Sequence, residues 1–115
     1  MTEREWCERF WPALTERARV GRTITYKDLK QLLQCRVWQR TLSSCLGRIA
    51  NYCHMKGWPI LTVLVVGKIS GRPGNGLPFV DDFKSELEHV RAFPWQDQPS
   101  PVAEEFPESA CLAHA

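Results

Sequence analysis

Cys53 and His54 stand side by side, a thiol next to an imidazole, which is the residue pair a nucleophile and its base would need. On a helix, however, neighbouring side chains point about 100° apart and do not face each other. Cys53 also falls in an apolar stripe, where thiols are inert. The carboxylates Asp81, Asp82, Glu86 and Glu88 crowd one short stretch. Complementing a helix N-terminus accounts for the first two, and no acid–base pair emerges. His89 and His114 lack ligand spacing, and the five cysteines, Cys7, Cys35, Cys45, Cys53 and Cys111, contain no C-x-x-C pair. Neither a metal site nor a cofactor is expected. The chain is read as not an enzyme, although residues distant in sequence can converge in space.

The chemistry that the residues do suggest is electrostatic. Residues 1–72 hold 13 Lys or Arg against 5 acids, a net of +8, whereas residues 73–115 carry a net of −6. Such a split suits a half that faces a polyanion, followed by an acidic tail; scattered solvated charge is the plainer alternative. Arg36, Arg40 and Arg48 fall on or near one helix, Lys56 at its end, and Lys68 and Arg72 flank a glycine-rich turn. Asn51 and Arg48 are of the types that contact adenine and guanine bidentately.

The elements that position these groups follow from periodicity. Residues 2–20 predict a helix, with Thr2 and Glu5 as a capping box, Trp6, Phe10 and Leu14 as its stripe, and Gly21 as its stop. Pro12 is expected to kink or split it. Residues 22–25 read as extended, and Thr25 with Asp28 caps a short helix over 26–33. Residues 34–40 are either a loop or the lead-in to the next helix. Residues 41–56 form the strongest helix, with Leu42, Cys45, Leu46, Ile49, Ala50 and Cys53 on one face and Gly57 as its stop. The opposite face carries Ser44, Gly47, Arg48, Asn51 and Met55, joined by Arg40 if the helix starts a turn earlier. Residues 60–66 (ILTVLVV) read as a buried strand. GKISGRPGNG then turns sharply, as a hairpin wing or a plain hairpin turn. Residues 79–90 read as a further helix, and after Trp95 a proline-bearing acidic segment reads as a flexible tail.

With 115 residues, one α+β domain over 1–95 and a tail over 96–115 is the expected organisation. The order of three helices, a β-hairpin wing and one further helix is that of a small winged helix. No membrane span or signal segment is evident, so a cytoplasmic protein is expected.

The segment FWPAL, with VGRTITYKDL after it, resembles the start of the DNA-binding domain of alkylguanine alkyltransferases and alkyltransferase-like proteins. Phe10, Trp11, Ala13, Leu14, Gly21, Thr25, Tyr26 and Leu29 fall in matching order, Leu46-Gly47 is similar to the family's V-G pair, and the resemblance covers residues 6–72. It implies a winged-helix scaffold that binds DNA, with Tyr26 against a phosphate; a core aromatic is the plainer reading of Tyr26. The family's nucleophilic Cys aligns with Ile60, the two residues after it with Leu61 and Thr62, and its inserted arginine with Ser44, so alkyl transfer is not implied. A second likeness, of PILTVLVVGKISGRPGNGL to small bacterial proteins of unassigned role, brings no function. Two functions follow as expectations: nucleic-acid binding, DNA before RNA, by Tyr26, Arg36, Arg40, Ser44, Arg48, Asn51, Lys56, Lys68 and Arg72; or a small phage- or mobile-element-type protein–protein interaction module that regulates or inhibits a bacterial (nucleo)protein complex, with Trp and Arg as anchors.

Overall fold

A computed structural model describes residues 2–68 and 79–108. Helix α1 spans Glu3–Val20. Its N-terminus is closed by the expected capping box: the Glu5 amide donates to Thr2 Oγ1 at 3.1 Å and the Thr2 amide donates to Glu5 Oε1 at 2.8 Å. At the other end Gly21, at φ 72°, takes the left-handed conformation that lets its own amide and that of Arg22 turn back to Ala18 and Arg17. Pro12 does not split the helix. It sits on the exposed face, while Phe10, Trp11 and Leu14 anchor both sides of it in the core.

Strand β1 (Ile24–Thr25) leads directly into α2 (Tyr26–Leu32), which is capped by Thr25 Oγ1 accepting from the Asp28 amide at 3.1 Å. Helix α3 (Gln39–Lys56) starts two residues before the expected boundary, so residues 34–38 are loop and 39–40 are helix. Every member of its expected apolar stripe is buried, and Gly47 and Tyr52 widen the buried arc. Gly57, at φ 73°, ends it as expected.

The expected strand over 60–66 is corrected to two residues. Leu61–Leu64 is a 3-10 turn, and only Val65–Val66, strand β2, joins a ladder. It pairs parallel with β1, Ile24 opposite Val65 and Thr25 opposite Val66. A strand exists only where a neighbour takes its hydrogen bonds, and β1 offers two residues. The preceding residues close local bonds instead, such as Val63 N–H to the Ile60 carbonyl at 3.1 Å. The expected wing lies outside the described residues except at its base. Helix α4 (Phe83–Ala92) begins four residues later than expected because Asp82 acts as its N-cap, accepting from the Lys84 amide at 3.1 Å. Phe79, at φ 68°, is not in a helical conformation.

Helices α1 and α3 pack against each other, with the Leu61–Leu64 turn and α4 closing the core. One end of that core is aromatic: Trp11 lies edge-on to Tyr52 and Trp95, with Trp58 and Phe93 beside them.

The largest correction is at the C-terminal end. The expected flexible tail is packed as far as residue 108. Phe106 is 1% exposed and fits between Trp11 and Tyr52, and Pro101 and Ala103 are buried as well. Arg4 donates to the Phe106 carbonyl at 3.0 Å and to the Glu104 carbonyl at 2.6 Å, and the Ala103 amide donates to Glu8 Oε1 at 2.8 Å. The segment is a strap laid across α1. It shows no periodicity because it is held by single residues, and its prolines reduce the entropy lost on ordering it. The molecule is a small, mostly helical α+β domain of four helices and one two-stranded sheet among the described residues.

Candidate nucleic-acid interface

Leu29 fixes α2 to the core and is fully buried. That anchoring turns Tyr26, Lys27, Lys30 and Gln31 toward an open groove. At the helix end Gln34 takes φ 51°, and the Cys35 amide bonds back to the Lys30 carbonyl at 2.8 Å. This reversal buries Cys35 at the groove floor and leaves Arg36 exposed at its wall. Gln39, from the first turn of α3, and Lys68, just after β2, complete the lining. The groove encloses about 960 Å³.

Its electrostatics are one-sided. Lys27, Lys30, Arg36 and Lys68 line it, and no carboxylate does among the described residues. None of these four cations forms an ion pair with a described residue. The first turn of α3 holds no acid, and its N-cap, Trp38, supplies no side-chain cap. The positive end of the helix dipole therefore adds to the field at the Gln39 side of the groove.

Of the residues expected from sequence, the fold brings together Tyr26, Arg36 and Lys68. Arg40 is exposed one residue beyond Gln39. Ser44 and Arg48 are turned inward toward α1, which corrects the expectation that they face nucleic acid. The Ser44 hydroxyl donates to Glu3 Oε1 at 2.6 Å, and Arg48 Nε donates to the same oxygen at 3.0 Å. Arg48 also donates to the carbonyls of Pro107 at 2.7 Å and of Glu108, clamping the strap. The Ser44 hydroxyl first, and then Arg48, hold the Glu3 carboxyl below its ordinary value against the opposing effect of burial. Thus Arg48 is occupied by internal partners and is only 14% exposed.

Asn51 is half-buried one turn further along α3. Lys56 lies over the Tyr52 ring, 5.6 Å from its centroid. It sits at the far end of an 18-residue helix, about 25 Å from the groove. Arg72 lies outside the described residues. Lys27 and Lys30 are the residues that sequence reasoning missed. Their signal was available: with Leu29 pointing inward, positions 27 and 30 share the outward face of α2.

The thiols occupy the core. Cys7, Cys35, Cys45 and Cys53 are buried and unbridged. Cys7 Sγ donates to the Cys45 carbonyl at 3.2 Å. Hydrogen bonding to Cys45 and burial push the Cys7 thiol up, and burial pushes Cys53 up to about 12. His54 is exposed and stacks on Phe79, with ring centroids 3.8 Å apart and planes 4° from parallel. Among the described residues no three His, Cys, Asp or Glu side chains cluster as metal ligands. No helix among them is long and apolar enough to cross a membrane. Comparison with protein-family models, curated proteins and solved structures found no match.

Proposed function

We propose that the chain is a non-enzymatic DNA-binding domain of winged-helix type, which takes the phosphate backbone along the groove between α2 and the start of α3. The observation that carries this reading is the grouping of Lys27, Lys30, Arg36 and Lys68 around one groove without a lining carboxylate among the described residues. Cations that line one groove, with no ion pair among the described residues, repel one another, and a polyanion relieves that repulsion. The order α1, β1, α2, α3, β2 and the resemblance of residues 6–72 to the alkyltransferase DNA-binding domain support the scaffold. Tyr26 lines the same groove and suits a phosphate contact. Four buried, unbridged thiols suit a cytoplasmic setting.

In this reading the contacts position the protein and read little sequence, because Arg48 is committed elsewhere. Binding is therefore weakly selective and strongly salt-dependent. The test is anisotropy of a labelled random duplex over a salt series. Up to four phosphate contacts give a log–log slope as steep as about −3.6 for duplex DNA. Absence of binding at low salt to both the duplex and its single strand, or binding indifferent to salt, refutes the proposal.

A second reading, a module that binds a protein partner, is favoured by the exposure of Leu32 at 55% and Trp38 at 84% beside the groove. An acidic protein would satisfy the same cations. Recovery of a stoichiometric protein partner whose binding is lost on Arg36→Ala, without any DNA affinity, would select it.

A further inference from the structure

The loop between α2 and α3 is built by alternation. Leu33, Cys35 and Val37 pack inward against the core, while Gln34, Arg36 and Trp38 are exposed. Trp38 comes two residues after Arg36, which lines the groove, although Trp38 itself is not part of the lining. The next residue, Gln39, lines it too. Trp38 caps α3 with an extended backbone, and its side chain makes no cap hydrogen bond. It is 84% exposed, the most exposed large hydrophobic side chain among the described residues. Trp11 and Trp95 are buried, and Trp6 and Trp58 pack against the core. Trp38 is thus the one tryptophan that the fold does not use for packing.

Resting on the DNA-binding reading above, we infer that Trp38 is a stacking platform for an unpaired base, so that the groove prefers single-stranded or locally opened DNA to closed duplex. A duplex hides the faces of its bases inside its own stack. An exposed indole can cover only a base that has left that stack or lies at a strand end. The residues two before and one after Trp38, Arg36 and Gln39, line the cationic groove, so a strand with a base on Trp38 has that groove next to it for its phosphates. Aromatic stacking with flanking cations is the general means of holding single strands without regard to sequence.

The experiment compares a labelled single strand with its matched duplex, at low salt, for the full chain and for Trp38→Ala, Trp38→Phe and Arg36→Ala, with circular dichroism to check folding. The expected result is that Trp38→Ala weakens single-strand binding about tenfold, that Trp38→Phe restores most of it, and that duplex affinity changes less than about twofold. The unsubstituted chain should also show tryptophan quenching on single-strand binding that Trp38→Phe lacks. If the unsubstituted chain binds DNA and Trp38→Ala binds single strands equally well, the stacking inference is wrong while the groove reading survives. A Trp38→Ala loss equal on both forms also overturns it. If the unsubstituted chain folds but binds neither form, the groove reading itself has failed.

Discussion

Replacing Phe106 by Ala tests whether the C-terminal strap belongs to the cooperative core. The ring is 1% exposed, with its centroid 5.2 Å from that of Tyr52 and 6.1 Å from that of Trp11. Truncation removes one fully buried aromatic side chain and opens a hole beside two others. Phe→Ala changes at such sites cost about 3–5 kcal/mol. The backbone anchors from Arg4 and Glu8 do not involve the ring, so they oppose complete release of the strap. In a domain of this size each kcal/mol moves Tm by about 4–8 °C, so a fall of at least about 12 °C is expected. Thermal and urea unfolding followed by circular dichroism read it directly. Phe79→Ala is the control, since Phe79 is 41% exposed and its ring meets only the exposed His54 among the described aromatic pairs. A loss below about 0.5 kcal/mol for Phe106→Ala, the range of surface changes, would show that residues 101–108 are not part of the core.

Three further outcomes follow from the same contacts. Arg48→Ala should lower stability by about 1–3 kcal/mol, because the Glu3 carboxylate keeps only the Ser44 donor and the strap carbonyls lose the Arg48 donor, yet leave DNA affinity within about twofold in a binding titration, because Arg48 lies off the groove. Glu3 has a folded-state pKa depressed below 4.5. Its contribution is therefore present above that value and lost as pH falls through the folded one, so the stability gap between the unsubstituted chain and Glu3→Gln should shrink in acid unfolding series below pH 4.5. In a Cys111→Ser background, a thiol reagent at neutral pH should label Cys7, Cys35, Cys45 and Cys53 only at the rate of opening, since all four are buried and the Cys53 thiol is raised to about 12; rapid labelling of native protein contradicts that packing.

Sequence was most informative where one residue type enforces one local geometry. Thr2 with Glu5, Gly21, Thr25 and Gly57 mark helix ends, and each caps as its chemistry requires. The stripe of α3 was legible because six positions repeat on one face. What failed depended on partners far along the chain. Residues 60–66 have strand composition, but only two of them find a neighbour. Phe106 lacks periodic companions, so nothing nearby in sequence reveals that Trp11, nearly a hundred positions earlier, forms its pocket. The same applies to the site. Arg36 and Arg48 look alike as sequence. One is left facing a groove, and the other meets Glu3 and the Pro107 carbonyl, contacts spanning 45 and 59 positions. Lys27 and Lys30 were within reach of helical geometry, once Leu29 is taken as the buried anchor of α2.

The role proposed for the cations around α2 and the start of α3 is to hold a nucleic-acid backbone. The most direct measurement is a salt-series anisotropy titration of DNA with the unsubstituted chain and with a Lys30→Ala, Arg36→Ala double variant. If these cations hold the backbone, the double variant binds at least about tenfold more weakly at low salt and its salt slope falls by about 1.8 on duplex DNA. Equal affinity and equal slope for the two proteins would contradict it.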